Sequence, residues 1–298
     1  MVLFCPFRVP RMSPALLDLQ ALIDDATGLE PLPASSTRLA GLLTEDDIDM
    51  EAVVECVRLD EALTARLLSA ANSAMSGSRH EIDSVESAIR RLGPGMVLAF
   101  AVGSSVRGQL SGVVEEYGLS EGELWRHSVA CALAIDRAHT HCRQPVPTHE
   151  FPTALLHDIG KLVLARHLEA RPRKEILRAQ TERNLTREQA EVEILHVCHA
   201  RVGGMVAEAW QLPKKIADGI RYHHRPLSAR DQKARKLCHQ IVLAEAVADM
   251  VGASAGSDEP HVFDASLAGS LGITRMGFEA LVAEVDEALD EVLAIYSS

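Results

Sequence analysis

The chain has few aromatic residues, and this scarcity already limits its fold. Phe, Trp and Tyr make up 4% of the 298 residues, whereas hydrophobic residues as a whole make up 47%. The apolar part of the chain therefore consists mainly of Ala, Leu, Val and Ile, a composition typical of packed helices and not of β-sandwiches or β-barrels. Sustained alternation of apolar and polar residues, the sign of half-buried strands, is also missing. We therefore predict an all-α fold.

The chain also lacks the signs of secretion and of membrane insertion. No apolar run reaches the ~18 residues of a membrane-spanning helix. The starting segment MVLFCPFRVPRM has no long apolar core and no clear cleavage site. None of the six cysteines forms a CxxC pair, so reduced thiols in a cytoplasm are the simplest interpretation. We expect a cytoplasmic protein that does not bind a membrane.

An excess of basic residues is missing as well. Lys and Arg number 30 against 42 Asp and Glu, which gives a formal net charge of −12. An acidic surface repels the phosphate backbone of DNA and RNA, so we expect no general nucleic-acid binding. Proteins and small molecules are left as the expected partners.

Helical patterns cover most of the chain and divide it into three parts. We predict an N-terminal helical lobe over 13–110, a second lobe over 111–252, and a C-terminal helical extension over 253–298 that packs on the second lobe. Helix starts are indicated by side chains that can accept hydrogen bonds from free backbone N–H groups. The candidates are Asp49, Asp60, Asp83 and Thr274. The last helix carries an apolar stripe from Phe278 to Leu293, which we interpret as core, with a dimer face as the alternative.

Histidines and one aspartate recur within apolar helical segments of the second lobe. They are His127 in LWRHSVA, the pair His157-Asp158 in LLHDIGK, His199 in HARVGG and the doublet His223-His224 in RYHH. Imidazole nitrogen and carboxylate oxygen suit Fe, Mn and Zn, and hydrolases use such ions to acidify a water and to neutralise phosphate charge. Adjacent helical residues point about 100° apart, so the doublet favours a site with more than one ion. If these side chains converge, the chain has a metal site; if they do not, it is a helical module with many histidines.

Segments along most of the chain resemble the HDOD domain, a signalling relative of the HD phosphohydrolases. In the N-terminal lobe they are LEPLPASSTRLAGLL (29–43), RLDEALTARLLSAANSAMSG (58–77) and SVESAIRRLGPGMVLAFAV (84–102). In the second lobe they are ELWRHSVACALA (123–134), ALLHDIGKLVLARH (154–167), HARVGGMVAEAWQLPKKIADGIRYHHRP (199–226) and LAEAVADMVG (243–252). The resemblance implies the all-α HDOD/HD-domain fold in two packed lobes, and action largely through protein partners in signalling and gene regulation.

The second lobe is also similar to the HD-GYP subfamily, whose members hydrolyse cyclic di-GMP at a site with two or three metal ions. The metal ligands that this resemblance implies are His127, His157, Asp158, His199, His223 and His224. Glu123 lies one helical turn before His127, where some three-metal members carry a glutamate. Asp158 is expected to bridge two ions, and Lys161 matches a lysine that contacts substrate phosphate.

The chain departs from that subfamily at two places. The GYP motif is absent, because the RYHH segment continues with Arg225 and a proline. The last ligand, an aspartate after an alanine in the subfamily, is replaced here by Glu245. Glu245 can bind metal, and Asp249, one turn later, is the alternative ligand. For the third histidine, His196 is the alternative to His199.

Two functions are compatible with this pattern, and the first is regulatory. The protein would hold two or three Fe, Mn or Zn ions in its second lobe and act through other signalling proteins. The turn at Asn72-Ser73 and the acidic loop Glu45–Asp49 would contribute to the partner surface, and a homodimer is left open. We place this function first because the GYP loop is missing and the N-terminal lobe is able to cover the site.

The alternative function is that of a metal-dependent phosphohydrolase acting on cyclic di-GMP, another cyclic dinucleotide or a nucleotide. One ion would be held by His127, His157, Asp158 and Glu245, and the second by Asp158, His199, His223 and His224. A bridging water would be the nucleophile. Asp158 and Lys161 would be the catalytic residues, with Lys161 neutralising phosphate charge.

Overall fold

The computed structural model describes residues 19–45, 47–73, 81–142, 150–229, 232–256, 263 and 265–297. Within these residues the chain is helical and has no β-strand, so the predicted all-α fold is confirmed. The N-terminal helices are α1 (Leu19–Gly28), α2 (Ala34–Thr44), α3 (Met50–Arg58), α4 (Glu61–Asn72), α5 (Val85–Leu92) and α6 (Pro94–Leu110). In the part that the structure describes, no helix combines the length and apolar character needed to cross a bilayer.

The second half of the chain continues with long helices that begin at Glu123, Gln232 and Arg275, and with several shorter ones. They are α7 (Glu123–His141), α8 (Glu150–Leu156), α9 (Gly160–Arg166), α10 (Ala170–Arg183), α11 (Arg187–Leu195), α12 (His199–Ala209), α13 (Lys214–Tyr222), α14 (Gln232–Met250), α15 (Ala265–Leu271) and α16 (Arg275–Ser297). Short 3-10 helices occur at Glu115–Tyr117 and Pro226–Ser228.

Polar side chains start three of the helices as predicted. Asp49 accepts hydrogen bonds from the backbone N–H groups of Glu51 (3.1 Å) and Ala52 (3.0 Å) at the start of α3. Asp60 caps α4, and Thr274 caps α16. Each cap satisfies an N–H group that has no partner inside its own helix.

The cap predicted at Asp83 is wrong. Helix α5 begins one residue later than that prediction requires, and the hydroxyl of Ser84 accepts a hydrogen bond from the backbone N–H of Ser87 (3.3 Å). Two capping patterns overlap here by one residue, and the extended backbone of Ser84 sets the start of the helix. A sequence pattern alone does not choose between two such neighbours.

Helices α6 and α7 lie at the centre of the molecule. Every residue from Met96 to Gly103 in α6 is buried, and α6 packs against α2, α5 and α8. Helix α7 packs against α8, α14 and α16. A single cluster of buried apolar residues extends from α1 to α16, so the helices that carry the predicted site rest on a continuous core.

The apolar stripe of α16 faces this core. Leu281, Val285 and Leu289 are buried, and the ring of Tyr296 packs against Phe100 with 5.1 Å between centroids. The interpretation of the stripe as core is confirmed, and no dimer face is needed to explain it. Because α16 contacts α4 and α6 as well as α7, the extension touches both predicted lobes. The lobe boundaries themselves stay predictions.

Helix α1 packs on the second lobe, although it lies within the predicted N-terminal lobe in sequence. It contacts α9 and α12, and Asp25 pairs with Arg166 (3.0 Å) and His167 (3.2 Å). The first residues of the predicted N-terminal lobe, 13–18, lie outside the described residues. The predicted boundary at residue 110 therefore assigns α1 to the N-terminal lobe, whereas its main contacts are with helices of the second lobe.

Asn72, predicted to contribute to a partner surface, has a structural role. Its side chain accepts a hydrogen bond from the N–H of Ile82 (2.7 Å) and donates one to the carbonyl of the same residue (2.8 Å). These bonds tie the end of α4 to the chain before α5. In the acidic loop Glu45–Asp49, Asp46 lies outside the described residues. A role of either segment in partner binding stays a prediction.

Candidate metal centre

The structure brings most of the predicted site residues into one buried cluster, although they come from five separate segments. The contributors are α7 (His127), the turn before α9 (His157 and Asp158), the start of α12 (His199), the end of α13 (His223 and His224) and α14 (Glu245). All of these side chains are buried except that of His224, which is partly exposed. A cavity of about 450 Å³ opens onto the cluster.

Two glycines allow the segments to come this close. A Cβ atom at Gly160 would lie 2.0 Å from the carbonyl oxygen of His199 and 2.4 Å from the backbone nitrogen of Gly203. A Cβ atom at Gly203 would in turn lie 2.9 Å from the side chain of Ile220. These glycines let α9, α12 and α13 approach at backbone distance, and so place the His157-Asp158 pair beside the histidines of the other two helices.

Three histidines of the cluster donate Nδ1–H to backbone carbonyls. The pairs are His127 with Ala253 (2.8 Å), His157 with Ala154 (2.6 Å) and His223 with Ile220 (2.7 Å). Because a carbonyl oxygen can only accept, Nδ1 carries the proton in each neutral ring and Nε2 keeps its lone pair. Hydrogen bonds of this kind fix the tautomer and the orientation of metal-binding histidines.

The fourth histidine, His199, is oriented by a buried carboxylate, that of Glu191, instead of by a backbone carbonyl. Its Oε2 accepts hydrogen bonds from Nδ1 (2.7 Å) and from the backbone N–H (2.9 Å) of His199. Its Oε1 accepts from the hydroxyl of Tyr117 (2.7 Å) and from Nε of Arg187 (3.2 Å). Burial opposes the charge of Glu191, but His199 and Arg187 outweigh it and lower the pKa of Glu191 to about 2. Glu191 was not among the predicted site residues.

Three donor atoms form a compact triangle at one side of the cluster. His127 Nε2 lies 3.2 Å from His157 Nε2, and these nitrogens lie 3.5 and 3.4 Å from Asp158 Oδ2. Two donors that bind one tetrahedral ion at about 2.0–2.2 Å lie roughly 3.3–3.5 Å apart. The triangle therefore has the size of one face of such a site. Glu245 Oε1 approaches His157 Nε2 to 3.8 Å.

The other oxygen of Asp158 faces a second set of histidines. His199 Nε2 lies 3.4 Å from Asp158 Oδ1 and 3.0 Å from His224 Nε2. The rings of the His223-His224 doublet are 4.0 Å apart between centroids, and His223 Nε2 is buried without a hydrogen-bond partner. Asp158 thus presents one oxygen to each group, which is the arrangement of a carboxylate that bridges two ions.

The charges in the first group favour a bound cation. His127 and His157 both donate through Nδ1, so in their neutral forms two Nε2 lone pairs face each other at 3.2 Å. Burial lowers the pKa of His127 to about 4. Burial also opposes charge on His157, but the carboxylates of Asp158 and Glu245 outweigh it and raise the pKa of His157. A metal ion bound here would be attracted by the two carboxylates and would accept both Nε2 lone pairs.

In the second group, His223 and His224 are neutral at ordinary pH. Burial, followed by the neighbouring His157, lowers the pKa of His223 to about 3. Burial and the neighbouring His223 hold the pKa of His224 well below its usual range. Neutral imidazoles are the form that binds metal, so these donor atoms fit Fe, Mn or Zn, the ions expected from the sequence.

Lys161 lies in the wall of the cavity, but its ammonium group is already engaged. It donates hydrogen bonds to Asp158 Oδ2 (2.7 Å) and to the carbonyl of Ala255 (3.0 Å), and it lies 5.6 Å from the ring centroid of Tyr117. Burial raises the pKa of Asp158, but Lys161 and His157 outweigh it and hold that pKa well below its usual range.

Glu123 lies outside the cluster, in contrast to its predicted role as a ligand. It is exposed, and its carboxylate accepts a hydrogen bond from the backbone N–H of Ser120 (2.7 Å). At the first residue of a helix a glutamate side chain is able to turn back toward the preceding loop, and here it does so. The structure therefore offers no support for a third ion at this position.

Two alternatives left open by the sequence can be compared by position. Glu245 lines the cavity beside the cluster, whereas Asp249 does not. His196 is exposed and ends α11 in the left-handed conformation with φ of 60°, whereas His199 lies inside the cluster. The structure thus favours Glu245 and His199 by placement. Metal binding by any of these residues stays a prediction.

Comparison with known proteins identifies a family. Residues 29–226 match the family model of the HDOD domain. An uncharacterised protein of Treponema pallidum (strain Nichols) is 24% identical over 209 residues, which cover 68% of this chain and 39% of that protein. The chain therefore spans about two fifths of the length of that relative.

Three solved structures are similar to this one. An HDOD domain protein of unknown function from Geobacter sulfurreducens has a TM-score of 0.63 at 22% identity, covering 94% of this chain and 99% of that one. A candidate signal transduction protein from Marinobacter aquaeolei VT8 has a TM-score of 0.68 at 21% identity, covering 94% and 65%. A candidate phosphohydrolase from Shewanella amazonensis SB2B has a TM-score of 0.63 at 21% identity, covering 93% and 97%. These similarities show a shared fold.

Proposed function

This chain belongs to the HDOD domain family, and we propose that it is a cytoplasmic signal-transduction protein that holds two metal ions in its second lobe and acts through protein partners. The observation that carries the metal site is the convergence of histidine Nε2 atoms on both oxygens of Asp158. The structural similarity to a candidate signal transduction protein supports the regulatory role.

The two groups of donor atoms divide the ligands between the ions. The first ion would be held by His127, His157, Asp158 and Glu245, and the second by Asp158, His199, His223 and His224. The mixture of imidazole and carboxylate ligands suits iron, manganese or zinc. When bound, such ions polarise a water and neutralise nearby negative charge.

Among the described residues that line the cavity, Lys161 and Arg187 are each paired with a buried carboxylate, and this favours a regulatory role over a catalytic one. Lys161 Nζ lies 2.7 Å from Asp158 Oδ2, and Arg187 Nε lies 3.2 Å from Glu191 Oε1. A phosphodiester entering the cavity would have to compete for these cations with partners that are already in place. For Arg187, moving to a substrate would break a buried ion pair with Glu191, which typically costs several kcal/mol.

A second candidate function is that of a metal-dependent phosphohydrolase on cyclic di-GMP or another nucleotide. The specific observation in its favour is the cavity of about 450 Å³ that opens onto Asp158, since ligand pockets commonly have about 300–1,000 Å³. The similar protein from Shewanella amazonensis is a candidate phosphohydrolase. In this function Asp158 would position both ions, and Lys161 would have to exchange a present hydrogen bond for a phosphate oxygen.

The test is to assay turnover and partner binding with the same metal-loaded protein, purified without a histidine tag. Hydrolysis of cyclic di-GMP is followed by chromatography for the wild type and for Asp158→Asn. His139→Gln, an exposed histidine on the same helix as His127, serves as the control. We expect no hydrolysis above that of Asp158→Asn, and capture of a specific protein from a lysate of the source organism only when metal is bound. Turnover that disappears in Asp158→Asn but persists in His139→Gln would establish the enzyme instead.

A further inference from the structure

Cys131 lies against the first group of donor atoms. It follows His127 by one turn on α7, and it is fully buried. Its sulfur lies 3.6 Å from His127 Nε2 and 4.0 Å from Nδ1 of the same ring, so it is nearer to the nitrogen that faces the cluster. One donor atom each from His127, Cys131 and His157 lie within 4.8 Å of one another.

We propose that Cys131 is a further ligand of the ion held by His127 and His157, and that it binds through its thiolate sulfur. This inference rests on the proposed metal site and deepens it. Metal–nitrogen bonds of about 2.0–2.1 Å and a metal–sulfur bond of about 2.3 Å place neighbouring nitrogen and sulfur ligands roughly 3.1–3.6 Å apart, and zinc sites accept a fifth ligand as well as the usual four. The observed separation of 3.6 Å from His127 Nε2 matches that spacing.

Other buried cysteines of the chain have different surroundings. The thiol of Cys56 donates to the carbonyl of Ser35 (3.7 Å), and that of Cys238 lies 4.0 Å from the carbonyl of Gly219. Both are ordinary contacts of a packed thiol with the backbone. The neighbours of the Cys131 sulfur are the ring nitrogens of a histidine that is itself held in the metal-binding tautomer.

A second observation concerns two polar atoms beside His157, which shares a group of close donor atoms with Cys131 and another with Asp158 and His223. Asp158 Oδ1 and His223 Nε2 are both buried without a hydrogen-bond partner. Polar atoms left in this way cost free energy unless something binds them. A metal cluster at this position would use both atoms, and the sulfur lies at its edge.

The binding step is an exchange of a proton for an ion. Burial, followed by the carboxylates of Glu245 and Asp158, raises the pKa of Cys131 well above its usual range, so the thiol is neutral without metal. As the metal–sulfur bond forms, the S–H bond breaks and the proton passes to solvent. A thiolate ligand favours zinc or iron over manganese, so the inference also assigns a preference to the first ion.

The experiment reads the metal–sulfur bond directly. The untagged protein is stripped with a chelator and reloaded with Zn²⁺ for X-ray absorption at the zinc edge, and with Co²⁺ for absorption spectroscopy. We expect a sulfur scatterer at about 2.3 Å from zinc and a thiolate-to-cobalt charge-transfer band in the near ultraviolet. Both should disappear in Cys131→Ser and remain in Cys238→Ser, a matched change at another fully buried cysteine.

The outcomes separate this inference from the function on which it rests. Wild-type protein that binds zinc through nitrogen and oxygen alone, with no sulfur scatterer, overturns the role of Cys131 and leaves the metal site standing. A charge-transfer band that survives in Cys131→Ser overturns it as well. Failure of the wild type to bind any ion overturns both proposals. If Cys131→Ser does not fold, the wild-type absorption edge still decides, and Cys131→Ala provides a second variant.

Discussion

The two lobes of this chain build their interiors from different groups. In helices α2–α6, Ser36 is the one buried polar side chain among the described residues, and its hydroxyl donates to the carbonyl of Ala101 (2.9 Å). The second lobe buries histidines, carboxylates and a lysine around Asp158. Burying such groups costs free energy unless each is paired. The first interior is therefore explained by apolar packing alone, whereas the second contains the kind of polar cluster that a bound ion would stabilise.

The sharpest way to break this comparison is to replace Asp158 by asparagine. Its two oxygens face the two histidine groups at 3.4–3.5 Å, so we expect both ions to be lost together. Metal content per chain, measured by elemental mass spectrometry, checks this. Asp290→Asn, at an exposed carboxylate that pairs with Arg126, is the control and should retain both ions. Loss of only one ion from Asp158→Asn would show that Asp158 does not bridge them.

Phe100→Ala in α6 should strongly reduce stability without reducing metal binding. Phe100 is fully buried and packs on Tyr296. Removing a buried phenylalanine ring should lower the free energy of unfolding by about 3–5 kcal/mol. Metal content of the folded protein should not change, because the ring packs on Tyr296 of α16 and does not line the cavity. Urea denaturation gives the first value and elemental analysis the second. Metal loss in protein that remains folded would mean that the two interiors are coupled.

Gly160→Ala tests the close packing that brings the histidines together. The added Cβ would meet backbone atoms of His199 and Gly203, which cannot move aside without separating α9 from α12. We expect destabilisation of about 1–3 kcal/mol together with reduced metal binding. Gly108→Ala in α6 is the matched control, since its Cβ would meet nothing within 4 Å. It should be neutral or stabilising by up to about 1 kcal/mol. Equal effects of the two changes would remove the role assigned to Gly160.

Glu191→Gln should have the smallest effect on metal binding and should weaken the binding of only one ion. A glutamine can still accept from Nδ1 of His199, but it lacks the charge. Loss of such a supporting partner typically lowers metal affinity about 10–100-fold, and titration of the stripped protein with Zn²⁺ should show this for the second ion only. Equal weakening of both ions would contradict the assignment.

The same carboxylate predicts a pH dependence of stability. The pKa of Glu191 is lowered from 4.5 to about 2 in the folded chain, so the unfolded chain binds more protons between these values. Its contribution to stability is therefore complete above about pH 4.5 and is lost as the pH falls toward 2. Thermal unfolding of the stripped wild type and of Glu191→Gln should converge over that range. Parallel curves would contradict the lowered pKa.

The residues of the cluster could be predicted because their types are unusual for their surroundings. A histidine such as His127 in an apolar helix, followed by the adjacent pair His157-Asp158, is hard to explain by packing alone. The spacing of residues along the helices was enough to indicate the all-α fold. Packing between distant segments could not be predicted in the same way. Helix α1 is an example, because it packs on the second lobe through contacts that no local sequence pattern encodes.

The residues that sequence reasoning missed carry no signal in the sequence, because their roles depend on neighbours that only the fold supplies. Glu191 is a glutamate on a helix, a type that is usually solvated, and only the fold brings His199 to it. Cys131 looks like a small buried residue, and Gly160 like any glycine after an HD pair. Glu123 differs in the opposite way: the sequence predicts a ligand, whereas the structure turns its side chain toward the loop before α7.

The measurement that tests the account most directly is the number of metal ions per chain. The wild type, purified without a tag, is reloaded with Fe, Mn or Zn, freed of excess ion by dialysis and analysed by elemental mass spectrometry. The arrangement around Asp158 predicts about two tightly held ions per chain. Protein that is folded by circular dichroism and still retains no metal after reloading would contradict the account, because the buried histidines would then have no ligand to hold.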